Sequence, residues 1–484
     1  MTSPWMSRPR RRMDSTRLGC SLALLTGVSV CALIATQGRE ARAQDAARSF
    51  VQRGADGPKG ENCALFCFNK DGGDGTSGPN VQAAQGDALT IVQGMAVKAA
   101  STGGNGGDNP KGLVFDGYGG RGGNSGAVTL TETGSVSGGI DQSTGLALIG
   151  IASQGGKGGD GGDKGIARGG DGGPARLILQ APVSAFGDRT SGVSVRSKGG
   201  KAGDGATSES KRSEQMGGLG GLAELTVTPA GRIETGGASA PGAVIESLGG
   251  DGGMRTTRGS SELPGDAGAG GRAVLVNQGS IVTAGANSVG VLVQSVGGAG
   301  GGDTTGINGS AGGKGGAGGA VKVDQIGNIT TLGAYSSALI AQSVGGPGGD
   351  GGRAPFGSGG DGGSAGAGGP VEVTQAGTIR TSGTGSVGVL AQSVGGGNAL
   401  DAFQASAPQA GRGGGSGGQA GILPFTSGGT GGMGGLGGAV TVQQNGVIET
   451  AGTDAYGILA QSIELANLHL RLVKRVVSSI PRMK

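Results

Sequence analysis

One phrase recurs along this chain and restricts its fold more than any other feature. It reads GVLVQSVGG at 290–298, SALIAQSVGG at 337–346, GVLAQSVGG at 388–396 and GILAQSI at 457–463. More diverged copies bring the anchor serines to eight: Ser101, Ser153, Ser197, Ser247, Ser295, Ser343, Ser393 and Ser462. Their spacings are 52, 44, 50, 48, 48, 50 and 69 residues, the last stretched by a Gly-rich run that expands through 397–436. A self-similar unit of this length marks a stacked array. No single unit buries its own apolar face, so neighbours must pile on one another.

A second block lies between anchors: AVKVDQIGNITTLG at 320–333, PVEVTQAGTIRTSG at 370–383 and AVTVQQNGVIETAG at 439–452. Apolar and polar residues alternate with period two in Val371-Glu372-Val373 and again in Thr378-Ile379-Arg380-Thr381. That is the pattern of a half-buried strand, not of a helix, and Val, Ile and Thr suit a pleated surface. Gly327, Gly377 and Gly446 fall between the two strands of their units, where a corner needs unusual dihedrals. Each unit thus supplies three short strands, VxV, xIxT and the anchor strand. The expected fold is all-β, a parallel β-helix of about eight rungs with Gly-rich excursions. Stacked at about 4.8 Å, Gln392 and Ser393 are expected to lie on Gln342 and Ser343 in polar ladders.

Glycine accounts for 119 of the 484 residues, but Pro for only 16, and the strict triplet of collagen never holds for long. Aromatic residues are 2% of the chain, so any core is built from small and β-branched side chains. The Gly-rich runs always follow the anchor strand and carry almost nothing to bury. Two readings of them compete. They are either solvated loops on one side of the stack or extended threefold polyglycine helices packed together. The loop reading is preferred, because a polyproline II-like backbone needs neighbours to satisfy its polar groups.

The net charge of +4 hides an uneven distribution. Residues 1–43 hold seven Arg against Asp14 and Glu40, and 463–484 hold five basic residues against Glu464, leaving the body between them mildly acidic. Such a body is a poor partner for phosphate backbones, and nucleic-acid binding is not expected. At the N-terminus an Arg-rich stretch precedes an apolar run over 18–35 that ends in Ala41-Arg42-Ala43, a small-x-small cleavage pattern. Residues 1–43 are expected to be a signal peptide cut between Ala43 and Gln44. An uncleaved anchor is the competing reading, and Arg10–Arg12 hints weakly at twin-arginine export. Cys63 and Cys67, three residues apart in N-terminal segment 44–87, are expected to form a local disulfide in an oxidising compartment. A metal site is not expected there, because the chain's single His is His469.

The anchor phrase followed by Gly-rich runs resembles the passenger repeats of bacterial autotransporters, over roughly residues 88–463. The resemblance implies export, passage across an outer membrane, and exposure on the cell surface or release from it. Family members carry a C-terminal membrane barrel, and nothing in this chain reads as its strands. After Ile463 the sequence switches to a basic tail, 464–484, with apolar residues near helical spacing. The tail is expected to be a cap or the product of truncation, with any barrel in a separate or lost segment. A membrane-lying amphipathic helix is the competing reading.

No constellation of catalytic residues stands out, and no cofactor is expected. The GGxGxD phrases ending at Asp160 and Asp350 suggest a calcium roll, but Gly162 and Gly352 stand where its stacking side chain belongs. A β-helix polysaccharide-processing enzyme would cluster carboxylates on neighbouring rungs. Glu372 and Glu449 instead occupy outward positions in different rungs, with Lys322 at the sister position of Glu372. Thr283, Thr331, Thr381 and Thr450 make a single rank, too narrow for an ice- or mineral-binding face. The expected role is an exported structural or adhesive surface protein that acts without catalysis on a host, abiotic or sister-cell surface. Its alternatives are a secreted β-helix enzyme and a non-functional truncated fragment.

Overall fold

The period-two blocks form strands wherever the chain is described. The computed structural model describes residues 48–60, 71–91, 94–109, 118–139, 146–161, 167–205, 216–255, 263–303, 309–396, 414–419 and 426–464. Within them lie twenty-five strands, β1 to β25 in chain order, arranged as three parallel sheets of eight, eight and nine strands. The VxV strands make the first sheet, from β2 (Val81–Gln85) to β23 (Val440–Gln444). The xIxT strands make the second, from β3 (Leu89–Ile91) to β24 (Val447–Thr450). The anchor strands make the third, which includes β4 (Val97–Thr102), β22 (Val387–Val394) and β25 (Tyr456–Ile463). Each strand pairs with its counterpart one turn away, so the chain is a parallel β-helix of eight complete coils. The coil reaches N-terminal of residue 88: β2 opens the first turn, and β1 (Arg48–Arg53) adds a ninth strand to the third sheet by pairing with β4.

The stacking is in register, and this creates the core. Leu177, Leu225, Leu275, Val323 and Val373 form one inward rank, and Ile233, Ile281, Ile329 and Ile379 form another. Every member is fully buried. Each such side chain contributes about 1.5–3 kcal/mol, and each packs on an aliphatic counterpart above and below. The anchor strands lack the alternation of the other two because they are buried on both faces in the middle coils. Outward-facing Leu292, Ile340 and Leu390 join a second apolar cluster with Val244 and Val289, while Val291, Leu339 and Val389 face the main core.

The polar ranks align as expected but bond differently. Gln342 Nε2 donates to Gln392 Oε1 at 2.7 Å, and Gln392 to Gln461 at 3.1 Å, a true amide ladder. Ser343 lies in register with Ser393, yet the expected serine ladder does not form. Ser343 Oγ instead donates to the Gly319 carbonyl and accepts the Gly369 N–H, both at 2.8 Å. Ser247, Ser295 and Ser393 do the same one coil apart. The anchor serine therefore ties the third sheet to the glycine segments that run back into the first.

Where they are described, those glycine segments are ordered, and for these residues the loop expectation is overturned. The chain runs out from each anchor strand along one segment and returns along another. Gly155, Gly158 and Gly161 donate to Lys198, Lys201 and Asp204 of the next outgoing segment at 2.9, 2.9 and 3.0 Å. The residues in between bond across to the returning layer: Gly156 donates to Gly123, Gly159 to Gly120, and Gly170 back to Gly156, each at 2.8 Å. The three-residue period is that of a threefold polyglycine helix, which has no internal hydrogen bonds. The stack supplies the neighbours that satisfy it. Glycine fills most of the inward positions, although Ala202 and Ala267 stand at some of those that bond along the layer. A Cβ on Gly155 or Gly156 would collide with the carbonyl oxygen of Gly170 or Gly104. The result is a two-layer glycine sandwich continuous with the β-helix.

Candidate functional site

Every third residue of the sandwich points outward and carries whatever side chain the triplet has. Its N–H would be left over, and in many triplets an Asp or Asn one coil earlier accepts it. Asp108 Oδ1 takes the Asp160 N–H, Asp160 Oδ1 the Asp204 N–H and Asp204 Oδ1 the Met254 N–H, each at 2.9 Å. On the returning layer Asn124 serves Asp171 at 2.7 Å and Asp171 serves Leu219 at 2.8 Å. The face is also laced with pairs three residues apart: Lys157–Asp160 and Lys201–Asp204 at 2.9 Å, and Arg168–Asp171 at 2.8 Å. Burial pushes the Asp160 carboxyl up, but the Asp204 amide and the Lys157 ammonium outweigh it and hold the group below its ordinary range. For Asp361 the Thr430 amide and hydroxyl dominate and pull the carboxyl down. These residues repeat from coil to coil along the sandwich. On the returning face a shallow hollow opens among Asp74, Ser77, Arg121, Asn124 and Arg168.

Asp160 and Asp350, the calcium-roll candidates, belong to this lattice. Asp350 Oδ1 accepts both the N–H and the hydroxyl of Ser416 at 2.8 Å. The GGxGGD phrase is therefore two backbone-packed glycines, an outward residue, two more glycines and an amide acceptor. A search for a nonapeptide period passes over this three-residue one. Among the described residues no three His, Cys, Asp or Glu gather where they could hold a metal ion.

Glu372 and Glu449 are not brought together. Glu372 stands on the first sheet in register with Lys322 and Thr441. Glu449 stands on the second sheet and accepts from Arg380 Nε at 2.7 Å, a bond that lowers its carboxyl. The threonine rank faces inward: Thr283 and Thr331 are fully buried and donate to the Ser288 and Ser336 carbonyls at 2.7 and 2.6 Å. From Thr283 to Thr381 it therefore presents no surface. Cys63, Cys67, Ala43, Gln44 and His469 lie outside the described residues.

Three buried ionisable residues carry no signal in the repeat pattern. Arg255 and Asp303 pair at 2.8 Å inside the sandwich with both side chains at 0% exposure, in a rank where the coil before has Gly205. Removing either partner would leave the other charge buried and unpaired. Glu132, at 0% exposure, has its carboxyl pushed up to about 7 by burial, against the partial opposition of the Gly134 amide. No family model matches the chain, and no curated protein matches it either.

Proposed function

We propose that this chain is an exported, non-catalytic structural or adhesive protein of the bacterial surface, similar in plan to an autotransporter passenger. The observation that carries the reading is how the polar groups are used. Outward Asp and Asn side chains of the glycine sandwich accept amides of the next coil, outward Lys and Arg pair with those Asp within the same segment, and Glu372 and Glu449 sit on separate sheets. That is the economy of a scaffold, which offers length and a repeating contact face. The anchor phrase supports the passenger likeness, and the Arg-rich, apolar start with Ala41-Arg42-Ala43 supports export. The binding target is a surface, of host, abiotic or sister-cell origin, that meets the regular outward rows.

Cell fractionation combined with protease treatment of intact cells tests this. Surface digestion of the 44–464 region is expected, and retention in the cytoplasm would sink the proposal. An assay for cleavage of acidic and neutral polysaccharides separates the scaffold from the enzyme reading, since turnover at any Glu372- or Glu449-dependent site would favour the latter.

A further inference from the structure

The last coil among the described residues has its packing and bonding half complete. One coil earlier, Val373, Ile379 and Val389 are fully buried; their register partners Val442, Ile448 and Ile458 are only partly so. In the four coils before it each anchor serine both donates and accepts. Ser462 still donates to the Gly438 carbonyl at 2.9 Å, but among the described residues no glycine N–H follows to use its lone pair. Gln444 Oε1 has no partner among them, and β23, β24 and β25 each end their sheet. Three parallel edges and an apolar cross-section are a ready template for another chain.

The adjoining stretch of chain is suited to cover this end. β25 stops at Ile463, so residues 465–484 begin at the edge itself. They place Leu465, Leu468, Leu472, Val476 and Ile480 at three- and four-residue spacing. Twenty residues span about 30 Å as a helix, more than the roughly 17 Å of a five-residue strand. The charges are complementary. Residues 439–464 hold Glu449, Asp454 and Glu464 with no Lys or Arg, whereas 465–484 hold five basic residues and no Asp or Glu. We propose that residues 465–484 fold back across the C-terminal end of the coil, set their apolar row on Val442, Ile448 and Ile458, and so keep a second copy of the chain off the same edge.

The test compares the full chain, its Leu468→Asp/Leu472→Asp variant and a chain ending at Glu464. Hydrogen exchange of 440–463 and mass by light scattering are the readouts. The full chain is expected to be monomeric, with exchange over β23–β25 slowed at least about tenfold relative to both altered forms, and the shortened chain is expected to form dimers or larger species. If the shortened chain is too aggregated to measure, the double variant still reports exchange. Equal exchange in all forms would overturn the proposal. So would a full chain that is already an oligomer cross-linked through β23–β25.

Discussion

Glu132 makes the stability of the first coils depend on pH in the direction opposite to most carboxylates. It ends β5 (Val128–Glu132), in a rank where Gln85 lies on one side and Leu179 on the other. Later coils hold Gln325, Gln375 and Gln444 at this place, whose Nε2 donates to the carbonyl two residues on at 3.0, 2.7 and 2.7 Å. A carboxylate has no proton to donate, and Glu132 Oε2 has no hydrogen-bond partner among the described residues. Burial therefore raises the group from 4.5 to about 7. Because the folded state holds the proton more tightly, its contribution is complete below 4.5, falls as the pH rises through 7 and is then lost. Two and a half units at 1.36 kcal/mol each amount to about 3 kcal/mol. Glu132→Gln is isosteric and restores the donor. The variant is expected to match the native chain at pH 5 and to exceed it at pH 8 by up to about 3 kcal/mol. A stack of repeats does not unfold all at once, so the assay is hydrogen exchange of β5 and its paired strands at both pH values. Parallel profiles for the two chains between pH 5 and 8 would refute the assignment.

Two further substitutions separate the parts of the lattice. Gly200→Ala drives a Cβ into the Gly156 carbonyl and is expected to speed exchange in the sandwich between 155 and 218. Lys201→Ala, one residue on and outward, is expected to stay within about 0.5 kcal/mol of the native chain. Ser343→Ala removes the donor to Gly319 and the acceptor of Gly369 and strands a buried N–H and a half-buried carbonyl. A local loss of about 1–3 kcal/mol, read by exchange around β19 (Leu339–Val344), which carries Ser343, is expected.

The β-helix was legible because its signal lies in side chains. Val371, Val373 and Ile379 alternate with polar residues, and the copies align without gaps across each strand, so strand, face and register follow from one pattern. β1 was not legible: Arg48-Ser49-Phe50-Val51-Gln52-Arg53 lacks the anchor phrase and is a strand only because β4 offers an edge. The glycine sandwich was legible in composition but not in state. A single run such as 155–161 contains nothing that tells a loop from a packed helix, since its backbone bonds are to other segments and not within the run. Asp at the sixth place of GGxGGD was the missed clue. An acceptor there has a purpose only if another segment lies one coil away.

The same three-residue lattice predicts how much chain can be removed from the expanded run. Gly396 donates to Gly366 as Gly346 does to Gly316, and Gly415 donates to Gly363 as Gly349 does to Gly313. In lattice terms Gly396 and Gly415 are one triplet apart, although nineteen positions separate them in sequence. Deleting the sixteen residues 397–412 joins Gly396 to Gly413 and leaves Gly413 outward, Gly414 lateral, Gly415 across and Ser416 outward. Deleting one residue more, 397–413, turns Ser416 into the layer, where its Cβ meets backbone as Gly415 does with Gly349. The sixteen-residue deletion is expected to keep the exchange protection of 414–438, and the seventeen-residue deletion to lose it. Loops would not distinguish the two, so equal behaviour would mean that the glycines are not held by a threefold lattice.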